Sequence, residues 1–411
     1  MTRVAVVGAG FAGLAAADAL ARVGIEVTVL EARDRVGGRV CSRELENGSI
    51  VELGAEFVLP GNDTVLAFAA RFGLGLWDKG MRYGDREPRG GIGVSRATLA
   101  EALTAVRLAL RAGHAGVSAA ELLDGLALDA GAREAIRARV EVSSATTADR
   151  VDAAELAGLA AHSDDPAPSV AGGNQRIADA LARELGAAVR LSSPVVRIAW
   201  DDDAVRLAAG GDELLVERVV LAVPASVLGR IAFQPALPEP LRSSYAAVEY
   251  GHAAKLFVPL GAPTPPGAVL SVPERYWTWT ATADGGRVQP VVHAFAGSSP
   301  ALDRLRVVDG PGEWLGSLAR LRPDLALAPA DAVLSTWDDD PWVAAAYSAS
   351  APPVAAWAGT GPFHACGEHT AGPLASLMEG ALVSGLRAAQ EVADALAGSR
   401  LDPAAGRLPG S

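Results

Sequence analysis

The sequence predicts an α/β fold: a doubly wound, nucleotide-binding domain assembled from three separated chain segments, into which a second, α+β domain is inserted. Three observations carry this. Residues 4–13, VAVVGAGFAG, are an apolar strand running into Gly8, Gly10 and Gly13. Residues 27–39, VTVLEARDRVGGR, are a second strand that ends on an acid and is followed by Gly-Gly-Arg. Strands apolar enough for a buried sheet then return in the middle, RVVLAVP at 218–224, and near the end, PFHACGEH at 362–369.

Each element has a mechanical cause. Gly8 permits a tight turn, Gly10 lets the backbone approach a pyrophosphate, and Gly13 lets the next helix pack close on the strand. That helix begins at Phe11 and Ala12, and the amides of its first turn face the anion. Glu31, eighteen residues past Gly13, ends the second strand where a carboxylate can accept both ribose hydroxyls and would repel a 2′-phosphate. A signal peptide is the competing reading of an apolar stretch behind Arg3, but Asp18 and Arg22 interrupt it.

From residue 64 the pattern turns helical: TVLAFAARFGL, ATLAEALTAVRLALRAG, AAELLDGLAL and REAIRARVEV carry apolar residues near helical spacing. This insertion ends near SDDPAPS, residues 163–169. GGNQRIADALARELG reads as a glycine turn and an amphipathic helix, and VRLSSPVVRIAW, AVRLAAG, ELLVE and RVVLAVP as strands. Proline-rich residues 233–245 leave that sheet. Strands at HAAKLFVPL, YWTWTATA and VQPVVHAFAG, then a helix around EWLGSLARL, form the second insertion. The long helix LMEGALVSGLRAAQEVADALAG closes the fold. The expected domains are 1–56, 170–235 and 354–400 for the cofactor, and 57–169 and 236–353 for the substrate, with 401–411 as a polar tail.

A chain of 411 residues buries a large core, and half its residues are hydrophobic. The net charge of −12 disfavours nucleic acid and anionic membranes as partners. Cys41 and Cys366 are too few for a disulfide framework or a thiolate metal site. Both read as reduced core thiols, and the cytoplasm as the expected location. No apolar run approaches a membrane span. His293, His364 and His369 show no metal-ligand spacing, so no metal is expected.

At this point the chain resembles the flavin-dependent amine oxidase family, which includes monoamine, polyamine and L-amino acid oxidases. LEARDRVGGRV at 30–40 and VELGAEFV at 51–58 are similar to the family's signatures, and GGNQRIADALARELG, SPVVRI, VVLAVPASVL, WDDDPWVAAAY and ACGEHTAGPLASLMEGALVSGLRAA follow in the family's order. The resemblance implies a Rossmann-like FAD-binding domain. By it, Gly8, Gly10, Phe11, Ala12, Gly13, Glu31, Ala32, Arg33, Gly38 and Arg39 would meet the adenosine and pyrophosphate, with Val195 at the adenine through its backbone. Gly54, Ala55, Glu56, Phe57 and Trp337 would pass near the flavin ring. Gly367, Glu368, Leu377, Met378 and Ala381 would hold the ribitol and the pyrimidine end, where the positive helix terminus favours a reduced, anionic flavin.

Lys255 and Tyr347 are the catalytic residues the resemblance implies: the lysine holds a water at flavin N5 and assists oxygen reduction, and Tyr347 is one wall of an aromatic cage. The chain also departs from the family. Ala346 stands where members with a covalent flavin carry cysteine, so FAD is expected to be non-covalent. Leu377 replaces the second cage aromatic, and Phe57 stands where L-amino acid oxidases carry arginine. Phe57, Trp277, Trp279, Tyr347 and Leu377 are the expected substrate pocket, with Tyr276 on the opposite strand face.

The function expected is oxidation of an amine to an imine by hydride transfer to flavin, with O2 reoxidising it to H2O2. Three alternatives stand beside it: a flavin dehydrogenase or desaturase of a bulky, less basic substrate, a flavin-binding module without turnover, and a nicotinamide dehydrogenase, which the Gly-Gly-Arg extension disfavours. Substrate identity and oligomeric state are not legible.

Overall fold

The computed structural model describes residues 3–398, apart from residues 83, 85, 114–115 and 162–164. The expected tail at 401–411 and part of the boundary loop at 163–169 lie outside the described residues. The chain divides into two units, Met1–Gly38, Ile177–Val248 and Ser350–Ser411 forming the first, Arg39–Arg176 and Glu249–Ala349 the second.

The first unit is built on a five-stranded parallel sheet in the order Phe363–Ala365, Arg218–Leu221, Val4–Val7, Val27–Leu30, Val189–Arg190. Val4–Val7 sits at its centre and every residue of it is buried, as a strand covered on both faces must be. A four-stranded sheet formed by Asp212–Val216, Val205–Ala209, Val195–Trp200 and Ala232–Gln234 joins it in one apolar core with Trp357 and Phe363. The helices Phe11–Arg22 and Met378–Gly398 cross closely: a Cβ at Gly385 would lie 2.2 Å from the Ala12 carbonyl oxygen.

The second unit carries a six-stranded sheet in the order Val333–Thr336, Ala253–Pro259, Val288–Gly297, Tyr276–Thr282, Gly267–Ser271, Arg86–Arg89. All its pairs are antiparallel except the last. The helices expected from residue 64 are present as Asp63–Arg71, Arg96–Ala112, Ala119–Gly125 and Ala130–Ser144. The short helix Glu155–Ala161 and the strand Arg86–Arg89 were not legible.

The unit boundaries differ from those expected. Residues 39–56 belong to the second unit, because Leu45 and Val51 pack with Phe257 and Val291. Residues 236–248 belong to the first, because the helix Glu239–Ala246 buries Leu241 and Tyr245 in that unit's core. Among the described residues no helix is long and apolar enough to cross a membrane.

Candidate functional site

In the first unit the glycines serve different ends. A Cβ at Gly13 would lie 2.0 Å from the Gly8 carbonyl oxygen, and Gly8 itself has φ +106° with Ala222 O only 2.9 Å from a Cβ, so helix, turn and strand meet backbone to backbone. Gly10 is otherwise: its φ of −71° is open to any residue, and a Cβ there would meet no protein atom within 4 Å. The chain's own packing does not require glycine at that position, whereas a ligand approaching the main chain would. The helix that starts beyond it has no side-chain cap and no acid in its first turn, which leaves the amides of that turn able to take an anion.

Beside that terminus, Glu31 is 5% exposed and its carboxylate is fixed on both oxygens: Oε2 accepts the Ala9 amide at 2.7 Å and Oε1 the Arg33 amide at 2.9 Å. Each oxygen keeps a second lone pair for a hydroxyl donor. Arg33 lies 3.9 Å from the same carboxylate, and Ala32 is half-buried between them. Gly37 donates to Ala9 O at 2.9 Å, and Gly37 and Gly38 have φ of +95° and +59°, which explains the Gly-Gly pair. These residues fit a dinucleotide with a free 2′-hydroxyl.

Elsewhere in this unit, Val195 is buried in a strand. Gly367 and Glu368 are buried, and Glu368 Oε2 accepts the Ser376 amide at 2.9 Å. Leu377 and Ala381 are half-buried and Met378 is buried. Glu379 shares that first helical turn at 4% exposure, a negative group the sequence reading did not weigh. His369 lies in the core between Tyr245 and Trp357, not facing solvent. Cys366 is fully buried, and burial pushes its thiol up to about 12; Cys41, expected in the core, is only half-buried.

In the second unit Lys255 alternates with apolar residues on its strand, yet it is 7% exposed. Its ammonium donates to Glu52 O at 2.9 Å and to Glu56 Oε2 at 2.8 Å. The other Glu56 oxygen accepts from Lys79 Nζ at 3.1 Å, and His293 Nδ1 stands 3.8 Å from it, beyond hydrogen-bond reach. Burial opposes the Glu56 charge, but Lys255 and Lys79 overcome it and hold the carboxyl well below the usual range. Burial drives His293 down to about 3 and raises Glu52 to about 6.

Residues Gly54 to Phe57 run past this cluster. Gly54 is demanded by the chain itself, since a Cβ would lie 1.7 Å from Arg39 O and 3.3 Å from the Trp337 ring. Ala55 donates to Arg39 O, and Arg39 donates to Ala346 O at 2.7 Å. Phe57 packs at 5.9 Å on Trp277 and 5.7 Å on Trp279, which stack at 3.9 Å. Both tryptophans are buried in an apolar cluster with Met81 and Leu270, and Tyr276 enters the core on the other face. The expected sharing of a face is therefore present, with the tryptophans as core. Tyr347 is half-buried and its hydroxyl donates to Ser143 O at 2.8 Å.

Sequence reasoning missed Lys79, Glu52 and the carboxylate role of Glu56. Glu52 and Glu56 share one motif, VELGAEFV, but Lys79 in a Gly-flanked loop carries the pattern of a solvated charge.

Known proteins align with this arrangement. The family profile described as flavin containing amine oxidoreductase matches residues 11–393. A Mycobacterium tuberculosis protein named as a flavin-containing monoamine oxidase, AofH, is 30% identical, covering 95% of this chain and 96% of its own. The putrescine oxidase of Kocuria rosea is 30% identical over 57% of this chain and 59% of its own. Among solved structures, a putrescine oxidase bound to putrescine superposes with TM-score 0.80 at 25% identity, covering 96% of this chain and 99% of that one. Cyclohexylamine oxidase from Brevibacterium oxydans shares the fold at TM-score 0.80 and 21% identity, with 96% and 99% covered.

Proposed function

Because the chain belongs to the family of flavin-containing amine oxidoreductases, we propose that it oxidises a carbon–nitrogen bond of an amine-containing small molecule, using non-covalent FAD and molecular oxygen. The bound flavin supplies hydride acceptance from the α-carbon of a neutral amine and two-electron reduction of O2 to hydrogen peroxide. The imine product is hydrolysed by water to a carbonyl compound and an amine or ammonia.

The observation that carries the reading is the uncapped helix terminus at Gly10, with room at that residue and the Glu31 carboxylate pinned beside it. Gly8, Gly13, Ala32, Arg33 and Gly38 shape that cradle, and Val195, Gly367, Glu368, Leu377, Met378 and Ala381 keep their proposed roles toward the cofactor. Arg39, Gly54, Ala55, Glu56, Phe57 and Trp337 are its proposed partners in the second unit. Ala346 offers no thiol for a covalent link, which supports the non-covalent assignment. Lys255 is the proposed catalytic residue: two of its N–H bonds are taken by Glu52 O and Glu56, and the third is available to orient a water and give up a proton as peroxide forms. Phe57 and Tyr347 are the side chains proposed to meet substrate, with Trp277 and Trp279 stacked behind Phe57.

The test is direct. The purified protein should be yellow, denaturation should release FAD intact, and a panel of amines should yield peroxide with at least one member. A flavin that is photoreduced and then stays reduced for hours under oxygen would remove the oxidase reading.

A further inference from the structure

Four ionisable side chains from separate parts of the second unit converge where solvent does not reach: Glu56 is 5% exposed, Lys79 3%, Lys255 7% and His293 0%. Of these, Lys255 is the one given a chemical step above, and Glu56 stands there only as a neighbour of the cofactor. Glu56 lies between the two ammonium groups, one on each oxygen. It is itself fixed, since its carbonyl oxygen accepts from Ser169 Oγ and Asn174 Nδ2, both at 2.8 Å. Asn174 further donates its backbone amide to Glu52, whose carboxylate also takes the Ser42 hydroxyl. The titratable groups facing the pair are thus Lys79, Glu52 and a neutral His293.

The two ammonium groups share the Glu56 carboxylate in a site of low dielectric, where a charge held at a fixed point acts strongly on any negative charge that develops nearby. A buried ammonium without its counter-ion sheds its proton more readily. Lys79, on the second oxygen, fixes the carboxylate that holds Lys255 in place.

We propose that Glu56 is the positioning residue for oxygen reduction: its carboxylate, fixed on its second oxygen by Lys79, holds the Lys255 ammonium at one point. The proposal rests on the catalytic reading of Lys255.

The experiment separates the two. FAD-loaded wild type and the variants Lys255→Met, Glu56→Gln, Glu56→Asp and Lys79→Met are reduced anaerobically and mixed with oxygen across pH, and the flavin midpoint potential is measured alongside. Wild-type reoxidation should vary by less than about twofold between about pH 7 and 9, while Glu56→Gln should lose about tenfold over the same range and its potential should fall below wild type as pH rises. Glu56→Asp should recover the flat profile, and Lys79→Met, which keeps the Glu56–Lys255 pair, should remain flat. A flat Glu56→Gln profile beside a slow Lys255→Met enzyme overturns the role of Glu56 and spares that of Lys255. Unchanged reoxidation in Lys255→Met overturns the catalytic reading itself. Should Glu56→Gln fail to fold, a Lys79→Met enzyme that acquires the steep profile overturns the proposal, because the pH response then belongs to Lys79.

Discussion

The Glu31 carboxylate accepts the Ala9 amide at 2.7 Å, so the acid at the end of the second strand is tied to the glycine turn that ends the first. One residue thereby braces the turn, and in the proposed reading its remaining lone pairs take the ribose hydroxyls. Glu31→Ala should weaken FAD retention about 10- to 100-fold, the range for losing charged hydrogen bonds. Equilibrium dialysis of the flavin measures it, and unchanged retention would refute the assignment.

Gly10 and Gly13 make opposite predictions. Gly13→Ala forces a side chain against Gly8 O and should prevent folding or lower the melting temperature steeply. Gly10→Ala meets no protein atom, so the apoprotein should melt within about 2 °C of wild type, as unobstructed surface changes do, while FAD binding falls. An apoprotein destabilised by Gly10→Ala would show that the glycine serves the fold instead.

His293 and Glu52 give stability two opposite pH slopes. His293 titrates near 3 when folded, far below the ordinary histidine, so the unfolded chain binds the extra proton and stability is lost as pH falls from about 6.5 toward 3. Glu52 titrates near 6, above its ordinary 4.5, so the folded chain holds the proton longer and stability declines as pH rises from 4.5 through 6. The Glu52 contribution is about 2 kcal/mol. Glu52→Gln should therefore remove the decline above pH 4.5 in denaturant titrations, and His293→Gln the loss between about pH 6.5 and 4.5, below which Glu56 also contributes. A variant that keeps the wild-type slope would acquit its residue.

Trp279 is fully buried, stacked on Trp277 and His293. Trp279→Ala should cost about 3–5 kcal/mol of unfolding free energy, the usual loss for a deleted core ring. Loss of amine affinity with unaltered stability would instead make it a substrate contact.

Cys366 should resist a thiol reagent in the folded protein, because burial pushes its thiol up to about 12 and leaves almost no thiolate at neutral pH. Labelling followed by peptide mass spectrometry should find Cys41 modified first. Rapid labelling of Cys366 in the native state would contradict its burial.

What the sequence determined by itself was everything that depends on local spacing. Strand, glycine turn and helix at 4–22, the acid at 31, the Gly-Gly pair at 37–38 and the helices of the first insertion each follow from a few adjacent residues, because turns, caps and apolar periodicity are short-range constraints. The alternation on 276–279 likewise assigns Tyr276 to one face and the two tryptophans to the other, since side-chain period along a strand is two. Only the tertiary structure decided what those faces meet. That Lys255 is buried, that Glu56 turns its carboxylate to it, and that Lys79 comes from a distant loop to share the same group depend on pairing across 23 and 199 residues of chain. The unit boundaries shifted for the same reason: residues 39–56 follow the side chains they bury rather than the motif they complete. A buried charge is stable only where partners from elsewhere in the chain compensate its lost hydration, and a linear pattern does not contain those partners.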